Sequence, residues 1–149
     1  MLAKVYSAGQ VAGAAFLGGP IAGCVLLGSN FGLFGNSDAR QQALGWGVIA
    51  TVGLWGITLF LPENFPAFAL PAAYTFALHR IAERLQGGDI RAFFDAGGQR
   101  QSNLRVVGIG FLCAFFVLAA AIALMMVLPP EILPEGIEPA PGSGSPMIG

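Results

Sequence analysis

Charged residues divide the chain into four long apolar stretches. No charged side chain occurs between Lys4 and Asp38, between Arg40 and Glu63, between Glu63 and Arg80, or between Arg105 and Glu131. A helix needs about 20 mostly apolar residues to cross the hydrocarbon core of a bilayer. The pattern therefore predicts an all-α integral membrane protein, a four-helix transmembrane bundle with spans at about 8–27, 43–61, 65–85 and 106–128.

The third of these segments contains two prolines and admits a second interpretation. Pro66 falls in the first turn of the predicted helix, where proline is tolerated, whereas Pro71 falls further inside and predicts a kink. The uncharged part alone is short for a span. The alternative is a protein with three spans, in which segment 64–85 is re-entrant or interfacial.

The composition changes sharply after the fourth segment. Residues 129–149 contain six prolines, four glycines and three glutamates. Such a sequence cannot bury enough apolar surface to offset the entropy lost on ordering. We therefore expect a transmembrane domain over 1–128 followed by a disordered, acidic tail over 129–149.

The overall composition agrees with a membrane protein and excludes several functional classes. The chain is 55% hydrophobic and 10% charged, with a mean hydropathy of +0.71, whereas soluble domains carry about 25% charged residues. Seven basic residues are too few for a nucleic-acid-binding surface. The expected partners are membrane lipid and either a second copy of the chain or another membrane protein.

The basic residues predict an orientation, because cytoplasmic loops carry the excess of Lys and Arg. Five of the seven lie between Arg80 and Arg105, and the tail has none. Loop 86–105 is therefore expected in the cytoplasm and the tail outside. Four spans put the N-terminus and Lys4 outside, whereas three spans put Arg40 outside. In both topologies six basic residues are cytoplasmic and one is outside, so the charges do not decide on which side the N-terminus lies.

Glycines four residues apart mark the first segment. Gly9 and Gly13, and then Gly19 and Gly23, follow the small-xxx-small pattern that lets helix backbones approach closely in lipid. We predict a helix-packing face formed by these four glycines. Its partner is either a helix of the same chain or a helix of another molecule.

The first segment also carries a potential helix break at Gly18, Gly19 and Pro20. Proline removes a backbone donor, and broken helices line substrate or ion sites in transporters. The other interpretation is a packed kink. No Asp, Glu, Lys or Arg lies near the middle of a predicted span, which argues against a proton-coupled carrier that uses carboxylates.

Catalytic signatures are missing from the sequence. There is no Ser-His-Asp set, metal-ligand cluster, phosphate-binding loop or cofactor motif. Cys24 and Cys113 lie inside separate apolar runs, as small buried side chains commonly do. We therefore expect no enzymatic activity, no cofactor and no metal site.

Two strings resemble the sequences of small uncharacterised bacterial inner-membrane proteins. They are Phe16-Leu17-Gly18-Gly19-Pro20-Ile21-Ala22-Gly23 and Leu61-Pro62-Glu63-Asn64, and the resemblance covers about residues 6–85. It implies a location in a bacterial inner membrane and no particular activity. The expected function is a structural or interaction role, as a homo-oligomer or as an accessory subunit of a membrane complex. The alternative is a small transporter or channel formed by oligomerisation, with the broken helix at its pathway.

Overall fold

The computed structural model describes residues 3–127, so the predicted disorder of 129–149 lies outside the described residues. The described part contains four helices: α1 (Ala8–Leu33), α2 (Ser37–Thr58), α3 (Ala69–Asp95) and α4 (Asn103–Val127). Two very short strands, β1 (Lys4–Val5) and β2 (Gln99–Arg100), accompany them. The predicted all-α class is confirmed.

Helix α1 is folded back on itself at Gly19. The backbone of Gly19 has φ 76° and ψ −178°, a conformation that glycine adopts readily because it has no Cβ. A straight helix would separate Tyr6 from Asn30 by about 36 Å, yet the Tyr6 N–H donates to Asn30 Oδ1 at 2.9 Å. Helix α1 is therefore a hairpin with an N-terminal arm (8–18) and a C-terminal arm (20–33).

Small side chains let the two arms of the hairpin pack closely. A Cβ built on Gly23 would lie 3.0 Å from the Cβ of Ala15 and 3.3 Å from the carbonyl oxygen of Val11. Pro20 occupies the first position of the second arm, where its missing N–H leaves no helical hydrogen bond unmade. Below, the end of the hairpin with Tyr6 and Asn30 is called the base, and the end at Gly19 is called the tip.

The hairpin is the centre of the fold. It packs against α2, α3 and α4, whereas these three helices make few contacts with one another. Gln10, near the base, contacts Asn103 at the start of α4, and Gly18, at the tip, packs on Gly110. Helix α4 therefore runs in the same direction as the N-terminal arm.

Contacts of the C-terminal arm fix the other two helices. Near the base, Gly28 faces Arg40 and Leu44 of α2, and nearer the tip Cys24 faces Gly47. Helix α2 is therefore antiparallel to this arm. Helix α3 is parallel to it, because Leu78 contacts Gly23 and Gln86 bonds to Leu27.

The two strands hold the N-terminus at the base. β1 and β2 pair in parallel, with Lys4 opposite Gln99 and Val5 opposite Arg100. The Gln101 N–H also donates to the carbonyl of Val5 at 3.0 Å. The N-terminal segment at Lys4–Val5 and the α3–α4 loop therefore lie at the same end of the described structure.

Two helices, α1 and α4, are long and apolar enough to cross a membrane by length and composition, and α2 and α3 fall short on these criteria. For α1 this criterion counts the residues of both arms together, although the helix reverses at Gly19. Its arms have 11 and 14 residues, which correspond to about 17 Å and about 21 Å. Neither arm reaches the thickness of a hydrocarbon core, which is about 30 Å.

Candidate functional site

The four glycines predicted to form one packing face lie in three different environments. Gly23 lies between the two arms of the hairpin, and Gly19 forms the reversal itself. Cβ atoms added to Gly9 and Gly13 would meet no atom within 4 Å. Within residues 3–127, the four glycines therefore do not share a contact surface.

The predicted break at Gly18, Gly19 and Pro20 is the tip of the hairpin. Gly18 packs directly on the backbone of Gly110, and a Cβ on Gly110 would in turn lie 2.9 Å from the Cβ of Leu17. Gly18 belongs to the predicted helix break, whereas Gly110 was not predicted to take part in a contact. The only sequence feature that marks Gly110 is the Gly108-Ile109-Gly110 string, and such strings are too common in helices to predict a contact.

A buried polar network joins the base of the hairpin to α3. The side chain of Asn30 accepts from the Tyr6 N–H and donates to the Tyr6 carbonyl at 2.8 Å and to Gln86 Oε1 at 3.0 Å. Gln86 Nε2 donates to the carbonyl of Leu27 at 2.9 Å. Asn30 and Gln86 are fully buried, so these bonds replace the water that both amides lose.

Gln10 makes a second polar connection, from the hairpin to the start of α4. Its Nε2 donates to the carbonyl of Gln101 and to Asn103 Oδ1, both at 2.7 Å. Its Oε1 accepts from the N–H of Ser7, which caps the N-terminal arm. The two networks are internally satisfied and position the hairpin. Neither presents an unpaired group to a ligand.

An apolar groove runs between α2 and α3, with the C-terminal arm as its floor. Its volume is about 860 Å³. Pro20, Cys24 and Leu27 belong to the floor, and Trp46, Gly53 and Leu78 to the walls. Asn36, Gln42 and Tyr74 are the few polar side chains in an otherwise apolar lining, so the groove suits an acyl chain or an apolar helix better than a hydrophilic substrate.

A second depression, the basic pocket, lies at the base and has a volume of about 960 Å³. Three cationic side chains line it: Lys4 from β1, Arg40 from α2 and Arg105 from α4. Ser29, Gln99 and Ser102 add polar atoms. Sequence reasoning missed this pocket, because its cations are far apart in the chain.

Three further ionisable side chains form a local cluster on α3. Glu83 Oε1 lies 3.5 Å from His79 Nε2, and Glu83 Oε2 lies 3.8 Å from Arg80 Nη1. The Arg80 guanidinium also lies over the ring of Phe76 at 5.2 Å. These side chains are partly exposed, and exposed pairs of this kind contribute little to stability. Among residues 3–127, no three His, Cys, Asp or Glu side chains are grouped to hold a metal ion.

Comparisons of the chain with protein-family models, with curated proteins and with solved structures found no match. The functional argument therefore rests on the geometry of the hairpin, the apolar groove and the basic pocket.

Proposed function

We propose that the chain is a small integral membrane protein with a structural or interaction role, associating laterally with another membrane helix. The observation that carries the proposal is the apolar surface that the fold leaves uncovered. Only 11% of the most apolar part of α4 is buried within the chain. The uncovered residues include Phe111, Phe115 and Phe116. An apolar surface of this size on a protein indicates contact with lipid or with other proteins.

The proposed topology has three crossing helices, α2, α3 and α4, with α1 as a re-entrant hairpin. The crossing of α2 and α3 is part of the proposal, because by length and composition alone they fall short of a span. The depth of the tip supports this arrangement. Gly18 meets α4 at Gly110, five residues beyond Arg105, and Cys24 meets α2 at Gly47, seven residues beyond Arg40. Five residues of α4 rise about 8 Å, so the tip would enter the apolar layer about that far beyond Arg105, whereas Cys24 lies on the C-terminal arm before the tip is reached. Irregular backbone is tolerated at such a depth when protein surrounds it.

The distribution of charge supports a cytoplasmic base, in a bacterial inner membrane as the sequence resemblance implies. In this topology, all seven Lys and Arg residues lie on the base side of the tip, whereas Glu63 lies in the α2–α3 connection at the other end. The four-span and three-span topologies expected from the sequence each left one basic residue outside. A seven-to-none distribution follows the positive-inside rule more closely.

The apolar groove is the proposed lateral interface, and its occupant is a transmembrane helix. Two helices form the walls of the groove and a third forms its floor. The groove therefore has the shape of a site that one more helix of a bundle would fill. Gly53 on its wall has open space at its Cβ position. A partner helix can therefore approach the backbone of α2, as small residues permit in membranes.

The experiment is gentle purification of the full chain from its native membrane, after flotation has established membrane association. Stoichiometric recovery of a second membrane protein, or a stable oligomer of this chain, is expected. Gly53→Leu fills the groove and should abolish that association. Gly45→Leu is the matched control, because Gly45 lies on α2, has open space and does not line the groove. Monomeric recovery of the native chain, or equal effects of both variants, would contradict the proposal.

The helix break favours a second candidate, a small channel or transporter. Half-helices that meet inside a membrane line ion and substrate sites in such proteins. The flanks of this tip are apolar: Gly18 packs on Gly110, and Pro20 lines the apolar groove. A pure homo-oligomer that conducts ions in liposomes would support this candidate over a structural role.

A further inference from the structure

The basic pocket gathers three cations from elements that are distant in the sequence. Lys4, Arg40 and Arg105 belong to β1, α2 and α4, and the fold brings these elements together around the base of the hairpin. Gly32 makes room for one of them. A Cβ on Gly32 would lie 3.2 Å from Arg40 Cδ and 3.4 Å from Arg40 Nη1, so the Arg40 side chain lies across this glycine.

Within residues 3–127, the pocket concentrates positive charge without a carboxylate to balance it. No Asp or Glu of this part of the chain contributes to the lining, and both ion pairs found there belong to Glu83 on α3. Arg105 also stands in the first turn of α4, which contains no acidic residue. A helix N-terminus favours negative charge, so the position of Arg105 adds a cation where an anion is preferred. A bound anion would relieve both the repulsion among the three cations and the unfavourable interaction of Arg105 with the N-terminus of α4.

We infer that the basic pocket binds the phosphate group of an anionic phospholipid. Arginine and lysine side chains together with backbone N–H groups at a helix N-terminus are the usual ligands of phosphate in proteins. Ser102 adds a hydroxyl group to the same lining, whereas the hydroxyl of Ser29 already donates to the carbonyl of Val25. The inference rests on the proposed membrane orientation, which places this pocket at the cytoplasmic surface, where anionic lipids attract basic side chains.

Apolar surface adjoining the pocket distinguishes a lipid from a free phosphate. Leu33 lines the pocket itself. One and two turns beyond Arg40, α2 presents Leu44 and Val48, which are 36% and 50% exposed. Two turns beyond Arg105, α4 presents Leu112, which is 56% exposed. Both helices run from the base towards the tip, so these side chains extend from the pocket in the direction that acyl chains would take.

The experiment measures lipid binding to the purified, full-length protein by native mass spectrometry. Phosphatidylglycerol and phosphatidylcholine with identical acyl chains are titrated separately, and glycerol phosphate is added as a soluble competitor. We expect tighter binding of phosphatidylglycerol and no competition at equal concentrations of glycerol phosphate. Arg40→Gln and Arg105→Gln should each weaken phosphatidylglycerol binding about fivefold, and Arg40→Lys should retain most of it.

Arg91→Gln is the matched control, because it removes an exposed arginine of the same end that does not line the pocket. An equal loss in Arg91→Gln and Arg40→Gln would overturn the inference, since binding would then reflect only the general positive charge. Effective competition by glycerol phosphate would also overturn it, in favour of a soluble phosphate ligand. Circular dichroism verifies that each variant is folded. A protein that floats with membranes but shows no preference between the two lipids refutes this inference alone, whereas failure to float refutes the proposed function.

Discussion

Asn30 is the residue on which the base of the hairpin depends most. Its amide holds both backbone groups of Tyr6 and also reaches Gln86, so one side chain joins the start of α1, its end and α3. The sequence shows Asn30 only as one polar residue after an apolar run. Its role depends on a partner 24 residues earlier and another 56 residues later, and no local pattern encodes either distance.

Replacing Asn30 with alanine should lower the free energy of unfolding by about 2 kcal/mol, because it leaves the Tyr6 N–H and the Gln86 amide buried without this partner. Chemical denaturation in detergent measures the change. Asn64→Ala removes an exposed asparagine in the α2–α3 connection and should alter stability by less than about 0.5 kcal/mol. Equal effects of the two substitutions would show that the network contributes nothing specific.

Gly18 and Gly13 make a second comparison between single residues of the same arm. Gly18→Ala forces a methyl group against the carbonyl of Gly110, which is backbone and cannot rotate away, so a loss of about 1–3 kcal/mol is expected. Gly13→Ala adds a methyl group in open space within a helix and should stabilise the protein by up to about 1 kcal/mol. Thermal unfolding of both variants gives the sign of each change, and a loss of stability in Gly13→Ala would contradict the open environment.

At the scale of elements, the hairpin is the main difference between the sequence and the structure. Gly18, Gly19 and Pro20 predicted a break, and the break is present. They did not predict its angle, because glycine permits many values of φ, and Pro20 constrains only its own φ and the ψ of Gly19 before it. The angle is set by packing on Gly110 of α4 and Leu78 of α3, which are both distant from the break in the sequence. Tertiary packing also outweighs a local signal in α3, which extends to Asp95, ten residues past its predicted end, because burial of Gln86 and Ile90 offsets the low helix propensity of Gly87 and Gly88.

Cysteines at positions 15 and 23 test the reversal directly. In the hairpin the two Cβ positions are 3.0 Å apart, so Ala15→Cys with Gly23→Cys should form a disulfide within one chain after a small adjustment, including the far end of Leu78. In a straight helix these residues would be about 12 Å apart along the axis. The background carries Cys24→Ala and Cys113→Ala, and mass spectrometry detects the bond.

The control for this disulfide is a pair with the same spacing in a continuous helix. Ala43→Cys with Thr51→Cys in α2 should stay reduced under the same mild oxidation. A disulfide in the control pair, or none in the hairpin pair, would argue against the reversal at Gly19.

At the scale of the whole molecule, side-specific reporters test the proposed topology. Reporters at the N-terminus and at Gly97 should both be cytoplasmic, and one at Asn64 should be external, because β1 pairs with β2 and the α2–α3 connection lies beyond the tip. Activity of a cytoplasmic fluorescent reporter and of a periplasmic enzyme reporter measures each position. An external N-terminus would instead support four spans, and an internal Asn64 would remove α2 and α3 as crossing helices.

The overall charge pattern could be anticipated from the sequence better than the path of the chain. The clustering of arginines around residues 80–105 indicated which loop is cytoplasmic, because this inference needs only a count. The side of the N-terminus needed the number of crossings, and that number changes when one apolar segment turns back. Lys4 and Arg40, each left outside by one of the two expected topologies, are neighbours in the basic pocket. Such proximity depends on tertiary structure and leaves no trace in local composition.

The central position of the hairpin has a consequence for biosynthesis. Of the four helices, α1 is synthesised before the other three, and these three pack against it. At about 5–20 residues per second, Asn103 follows Asn30 by about 4–15 s. During that interval Gln10 has neither Asn103 nor the Gln101 carbonyl as a hydrogen-bond partner. For most of the same interval Asn30 lacks its hydrogen bond to Gln86, because Gln86 has not yet been synthesised. The nascent hairpin must therefore remain where water or the insertion machinery can satisfy these amides until α4 has emerged and completes the hydrogen bonding of Gln10.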